Sequence, residues 1–143
     1  MPDVMGALQR ARSMELEIQT QLEHIERLHR IANRAKNSSA CAAETVEKLA
    51  GLERELNSAI DEMVDAKREA LRYISYLSGE ERSVIEGYYI LAKNWQQLAF
   101  DLYMSDRRVF LLRKSGLSKL LDRFGGNPPE NTDHKTSRTV AKE

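Results

Sequence analysis

Proline is missing from residues 3–127; the three prolines are Pro2, Pro128 and Pro129. The strongest helix breaker is therefore absent from the body of the chain. Val, Ile and Thr are sparse there while Leu, Ala, Glu, Arg and Lys dominate, so the sequence predicts an all-α fold. Cysteine is nearly absent too: Cys41 is alone, which excludes an internal disulfide and fits the reducing cytoplasm of a cell. No apolar run exceeds the five residues Tyr88 to Ala92, far short of a membrane span, so no membrane partner is expected. An acid at Asp3 and the lack of a basic-then-apolar leader predict no secretory signal. Net charge is also missing, because 22 Lys and Arg balance 22 Asp and Glu. That balance argues at first against nucleic acid, whose binders usually carry a basic excess.

What is present is helical periodicity. The chain has 143 residues, of which 41% are hydrophobic and 31% charged, enough for one folded unit with a moderate core. From Val4 to Lys36 a stripe at alternating steps of four and three reads Val4, Leu8, Ala11, Glu15, Ile18, Leu22, Ile25, His29 and Ala32. After Asn37-Ser38, with Ser39 as an expected N-cap, a second stripe reads Val46, Leu49, Glu53, Leu56, Ile60, Met63, Lys67, Ala70, Ile74 and Leu77. Two long striped helices around a short polar turn predict an antiparallel, coiled-coil-like hairpin over residues 1–77. The polar interruptions Glu15, His29, Glu53 and Lys67 either set register or oligomer state, or sit at exposed seam edges where long side chains snorkel.

From Ser78 the texture becomes short helices separated by caps. Ser78 to Glu81 reads as a capping box opening a helix to about Leu91. Asn94 to Gln97 reads as a second box, opening a helix to Leu102 or Tyr103. Ser105 caps a basic helix reaching Phe124. Gly125-Gly126-Asn127-Pro128-Pro129 ends the pattern, and residues 125–143 are expected to be disordered.

Within 78–124, Leu98, Ala99 and Leu102, then Met104 at a turn, then Val109 and Leu112 supply the apolar set that a helix-turn-helix crossing needs, with Trp95 opening the first helix. Ala99 is the small residue expected at the close approach. By segment, charge is +1 over residues 1–36, −3 over 37–77, +2 over 78–124 and zero in the tail. Residues 107–123 hold six bases (Arg107, Arg108, Arg113, Lys114, Lys119 and Arg123) against Asp122 alone. The overall neutrality is thus a cancellation between an acidic helix and a basic one able to neutralise phosphates.

The stretch Ala70 to Phe124, with Leu77, Glu81-Arg82, Val84-Ile85, Tyr88-Tyr89, Leu98-Ala99, Ser105 and Val109, resembles region 4 of sigma-70-type transcription factors. Its YYILAKNWQQLA segment is similar to phage late-gene transcription regulators of the RinA and ArpU type. The resemblance covers about 55 residues and implies a sequence-specific double-stranded DNA-binding regulator, an activator of phage late genes acting in the bacterial host cytoplasm. It implies DNA contacts from Ser105, Asp106, Arg107, Arg108, Phe110, Leu111, Arg113 and Lys114, on a recognition helix of about residues 105–123. RNA polymerase is a further partner under the sigma likeness, and a homodimer through the hairpin is expected. Two departures stand out. Tyr103 occupies the turn position usually held by Gly, where positive φ carries a backbone cost. Phe110 and Leu111 lie on or beside the outward face, where they either meet thymine methyl groups, pack on a partner, or pack on the hairpin.

No catalytic set emerges, and neither an enzyme nor a cofactor is expected. His24 and His29 are five residues apart, which does not suit a helical zinc pair, and His134 lies in the tail. Cys41 has no basic cluster to activate it. Glu80 and Glu81 are neighbours that point apart on a helix. Tyr88, Tyr89 and Trp95 read as core residues rather than a stacking platform for single strands. Two rival functions use the same features: a packaging adaptor of small-terminase type, and a protein-interaction module in which Phe110 and Leu111 form the contact.

Overall fold

The computed structural model describes residues 3–34 and 39–125, the side chains of 39–42 excepted. The expected turn at 37–38, the Cys41 side chain, His134 and the tail beyond Gly125 lie outside the described residues. Five helices make up the all-α fold: α1 (Val4–Arg34), α2 (Ser39–Ile74), α3 (Gly79–Tyr89), α4 (Trp95–Asp101) and α5 (Asp106–Phe124). Among the described residues no helix is long and apolar enough to cross a membrane.

The seam interruptions explain how α1 and α2 are aligned. The Lys67 ammonium donates to the Glu15 carboxylate at 2.5 Å, and His29 Nε2 lies 3.5 Å from a Glu53 carboxylate oxygen. Glu15 and His29 are two heptads apart, and so are Glu53 and Lys67, in reversed order. Both pairs therefore obey one antiparallel register without a slip. Ile18, Ile25 and Leu56 close the seam between the two pairs, and Leu49 continues it beyond the His29–Glu53 pair. The paired groups differ in environment: Glu15 and Lys67 are mostly covered, while His29 and Glu53 are half exposed. The outer pair contributes little stability, since water competes for both partners.

Two expected seam residues are not in the seam. Leu22 and Val46 are exposed, and Ala66, absent from the expected stripe, is fully buried. Leu22 lies between the buried Ile18 and Ile25, so the contact line runs beside it rather than through it. Helix limits shift as well. Ser39 is the first residue of α2 rather than its cap. Helix α2 ends at Ile74, three residues before Leu77, where Tyr76 N–H and Leu77 N–H donate to Tyr73 O and Ile74 O in tightened turns.

A single core crosses the expected junction between residues 77 and 78. Val4, Leu8 and Ala11 of α1, Ala70 and Ile74 of α2, Ile85 and Tyr89 of α3, and Leu117 and Leu120 of α5 bury one another. The base of the long helix pair is thus also the floor on which α3 and α5 rest. Gly116 of α5 permits this, because a Cβ there would stand 3.1 Å from Ile85 Cγ1.

Candidate nucleic-acid interface

The pair α4–α5 is built from its caps. Asn94 Oδ1 accepts from Gln97 N–H at 2.7 Å, and Ser105 Oγ accepts from Arg108 N–H at 3.1 Å, so an orphan amide is satisfied at each helix start. The Gln97 side chain does not return to Asn94 as a full capping box requires; it donates to Asp101 at 3.1 Å, alongside Lys93 at 2.7 Å. The hydrogen bonds from Lys93 and then Gln97 hold the Asp101 carboxyl below its usual range. The box expected at Ser78 does not form either. Ser78 makes no side-chain cap, and Glu81 accepts from Lys119 at 2.8 Å and from Ser115. A charged donor outcompetes a backbone amide for that carboxylate. Those two bonds, that from Lys119 foremost, lower the Glu81 carboxyl below its ordinary value.

The turn between α4 and α5 closes by two bonds: Met104 N–H donates to Ala99 O at 2.9 Å and Tyr103 N–H to Phe100 O at 3.3 Å. This doubly bonded end is a Schellman motif, which places its C′ residue in the left-handed region. That residue is Tyr103, at φ 56° and 97% exposed. The turn is unaltered, and tyrosine carries its strain. Ala92, at φ 58°, is a second such residue, in the connection from α3 to α4, and no local signal in the sequence marks it.

Leu98, Ala99 and Val109 are buried together with Val84 of α3, and Trp95, Leu102, Met104 and Leu112 pack on them. All seven residues expected in this crossing meet in one cluster. Ala99 is buried in this cluster beside Val109 of α5. The Leu98 side chain fills the space over Gly87 of α3, where a Cβ would stand 2.3 Å from Leu98 Cδ2, and the sequence reading did not single out that glycine.

Helix α5 turns Val109, Gly116 and Leu120 inward. At 100° per residue the opposite stripe is Arg107, Leu111, Lys114 and Ser118, with Phe110 on its flank. Phe110 is 39% and Leu111 47% exposed. Ser105 serves as the cap, and Asp106, Arg107 and Arg108 are exposed in the first turn.

The basic residues of α5 are not equivalent. Arg108 is paired with Glu80, and Lys119 with Glu81, so two cations are neutralised by the start of α3. Arg123 lies over the rings of Tyr76 and Phe124, at 5.5 and 5.7 Å from their centroids. Arg113, expected at the DNA, is drawn inward: its guanidinium is 5.1 Å from the centre of the Trp95 ring, and its Nε is buried without a partner. It also lies beside Tyr89, whose phenol burial pushes upward in pKa against the pull of the Arg113 charge. Among the described residues, Arg107 and Lys114 are the α5 cations with neither an ion pair nor a ring contact.

Arg12 is the residue of this region that sequence reasoning missed. From α1 it donates to Tyr88 O at 2.7 Å and Lys93 O at 3.0 Å, and its guanidinium lies 3.8 Å from the centre of the Tyr88 ring. Its partners are 76 and 81 residues away, so nothing local reports it.

No group of three or more His, Cys, Asp or Glu side chains is placed to hold a metal ion among the described residues. No family model, curated protein or solved structure matches the chain.

Proposed function

We propose that the chain is a sequence-specific double-stranded DNA-binding transcriptional regulator in which α4, the turn at Tyr103 and α5 act as a helix-turn-helix. The α1–α2 pair is then the antiparallel hairpin through which the protein forms a homodimer or meets RNA polymerase. Two recognition helices in a dimer would read half-sites related by a two-fold axis. Activation of phage late genes rests on the resemblance of residues 70–124 to the RinA and ArpU regulators.

The observation that carries the reading is the exposed stripe of α5. It starts at a capped helix end and holds the exposed Arg107 and the half-buried Lys114, neither in an ion pair among the described residues, while the opposite face is fully used in the core. A cation without a partner on a groove-sized helix suits phosphate and base-edge contacts. The experiment is selection of bound fragments from random-sequence duplexes, followed by footprinting. A selected motif with protected half-sites supports the reading; recovery of unselected sequence only, at moderate salt, removes it.

A protein-interaction module is the second reading, favoured by Phe100 at 79% and Tyr103 at 97% exposure around the same turn. It predicts self-association or partner capture that survives high salt, without selective DNA binding.

A further inference from the structure

The outward stripe of α5 is short of the usual polar readers. Helix α5 contains no Asn and no Gln, so no side chain on it can make the paired bonds to adenine N6 and N7. Its middle is apolar instead. Leu111 sits one turn after Arg107 and one turn before Lys114, with Phe110 alongside, and both apolar side chains stay exposed. The other apolar residues of the helix are accounted for in the interior: Val109, Leu117 and Leu120 are buried, and Leu112 and Leu121 pack on the cores.

We infer that this face reads thymine in the major groove through its 5-methyl group, with Leu111 and Phe110 as the methyl contact and Arg107 as the adjacent hydrogen-bond donor. The inference rests on the DNA-binding reading above. Of the base edges in the major groove, thymine alone offers an apolar group, and Arg pairs with guanine O6 and N7. The charge pattern fits the same occupant. Arg107 and Lys114 are separated by seven residues, about 10 Å along the helix axis, with Leu111 between them. The two free cations therefore flank the apolar pair along the helix, while Leu111 faces the floor. The preferred sequence then places guanine next to thymine.

The test is a fluorescence anisotropy titration of the full chain against duplexes selected from a random pool and resynthesised with deoxyuridine in place of thymine, which removes the methyl groups alone. Each contacted methyl is worth about a fourfold change in affinity. The expected result is that loss, which Leu111→Ala abolishes while leaving the salt dependence as in the parent. Leu111 is exposed, so this substitution opens no cavity, and the deoxyuridine arm needs no variant at all. Equal affinity for thymine and deoxyuridine duplexes overturns the inference and leaves DNA binding standing. Absence of any selective duplex binding overturns both. Equal affinity together with a self-associated species that Leu111→Ala dissolves overturns it in favour of a contact between two copies of the chain.

Discussion

Trp95 lies flat on Tyr88, with ring centroids 3.7 Å apart and planes within 4°. Arg12 is 3.8 Å from the same Tyr88 centroid, and two groups this close cannot share one face of a ring. Arg12 therefore occupies the side of Tyr88 turned away from Trp95, and Arg113 approaches Trp95 in turn. A file of cation, ring, ring and cation joins α1, α3, the start of α4 and α5. It fastens the long helix pair to the helices that carry the exposed stripe.

Arg12→Ala should destabilise the protein by about 2–4 kcal/mol. It removes two hydrogen bonds from a charged donor, worth about 1.5–3 kcal/mol in contexts of this kind, and a cation–ring contact of about 0.5–1 kcal/mol. Arg12→Lys should recover only part of the loss, because an ammonium cannot both stack flat and fork to Tyr88 O and Lys93 O. Urea denaturation of the two variants gives the comparison; an unchanged midpoint in Arg12→Ala contradicts the arrangement.

Acid should weaken the fold through Glu15. Burial acts to raise its carboxyl, but the hydrogen bonds from Lys67 and Gln19, with the Lys67 charge, outweigh that and leave it below its ordinary value. A carboxyl lowered in the folded state contributes stability above its unfolded pKa of about 4.3. That contribution is lost as pH falls through the lowered folded value. Glu81, lowered by Lys119 and Ser115, acts in the same window. Urea midpoints measured from neutral pH down through this range should fall steeply in the parent. They should fall less steeply in Glu15→Gln, and least in Glu15→Gln with Glu81→Gln.

Tyr103→Gly should raise stability. The left-handed conformation costs a non-glycine residue about 1–2 kcal/mol, and glycine returns about 0.5–1 kcal/mol of that through its looser unfolded chain. The Tyr103 side chain is 97% exposed and has no packing to lose. A net gain of about 0.5–1 kcal/mol, seen as a higher midpoint in thermal denaturation, is the expected outcome.

Much of this arrangement was legible in the sequence because it depends on spacing. The all-α class, the end of α5 at Phe124, the caps Asn94 and Ser105, the strained Tyr103 and the cluster around Leu98 all follow from local patterns. So did the identity of the four seam interruptions, although not that Glu15 meets Lys67 and His29 meets Glu53. What escaped is long-range pairing. Glu81 was read as a cap because its partners, Ser115 and Lys119, are 34 and 38 residues away. The pairing of Arg108 with Glu80 and the packing of Arg113 on Trp95 are likewise beyond a local charge sum. The packing of Leu98 over Gly87 is not legible because the sequence shows a small residue without showing what side chain lies on it.

The pairing on α5 also sets how strongly salt acts on the proposed DNA complex. Each phosphate contact contributes about 0.9 to the slope of log affinity against log salt. Six basic residues over 107–123 suggest a steep slope, but Arg108 and Lys119 are offset by acids, and Arg113 and Arg123 are held at rings. Salt titration of binding to a selected duplex, for the parent, for Arg107→Ala with Lys114→Ala, and for Arg113→Ala, is the most direct measurement. The expected parent slope is near −2 per recognition helix, hence near −4 where a dimer fills two half-sites, with near-complete loss in the double variant and an unchanged slope in Arg113→Ala. A parent slope near −5 per recognition helix, or a double variant with the parent's slope, contradicts this.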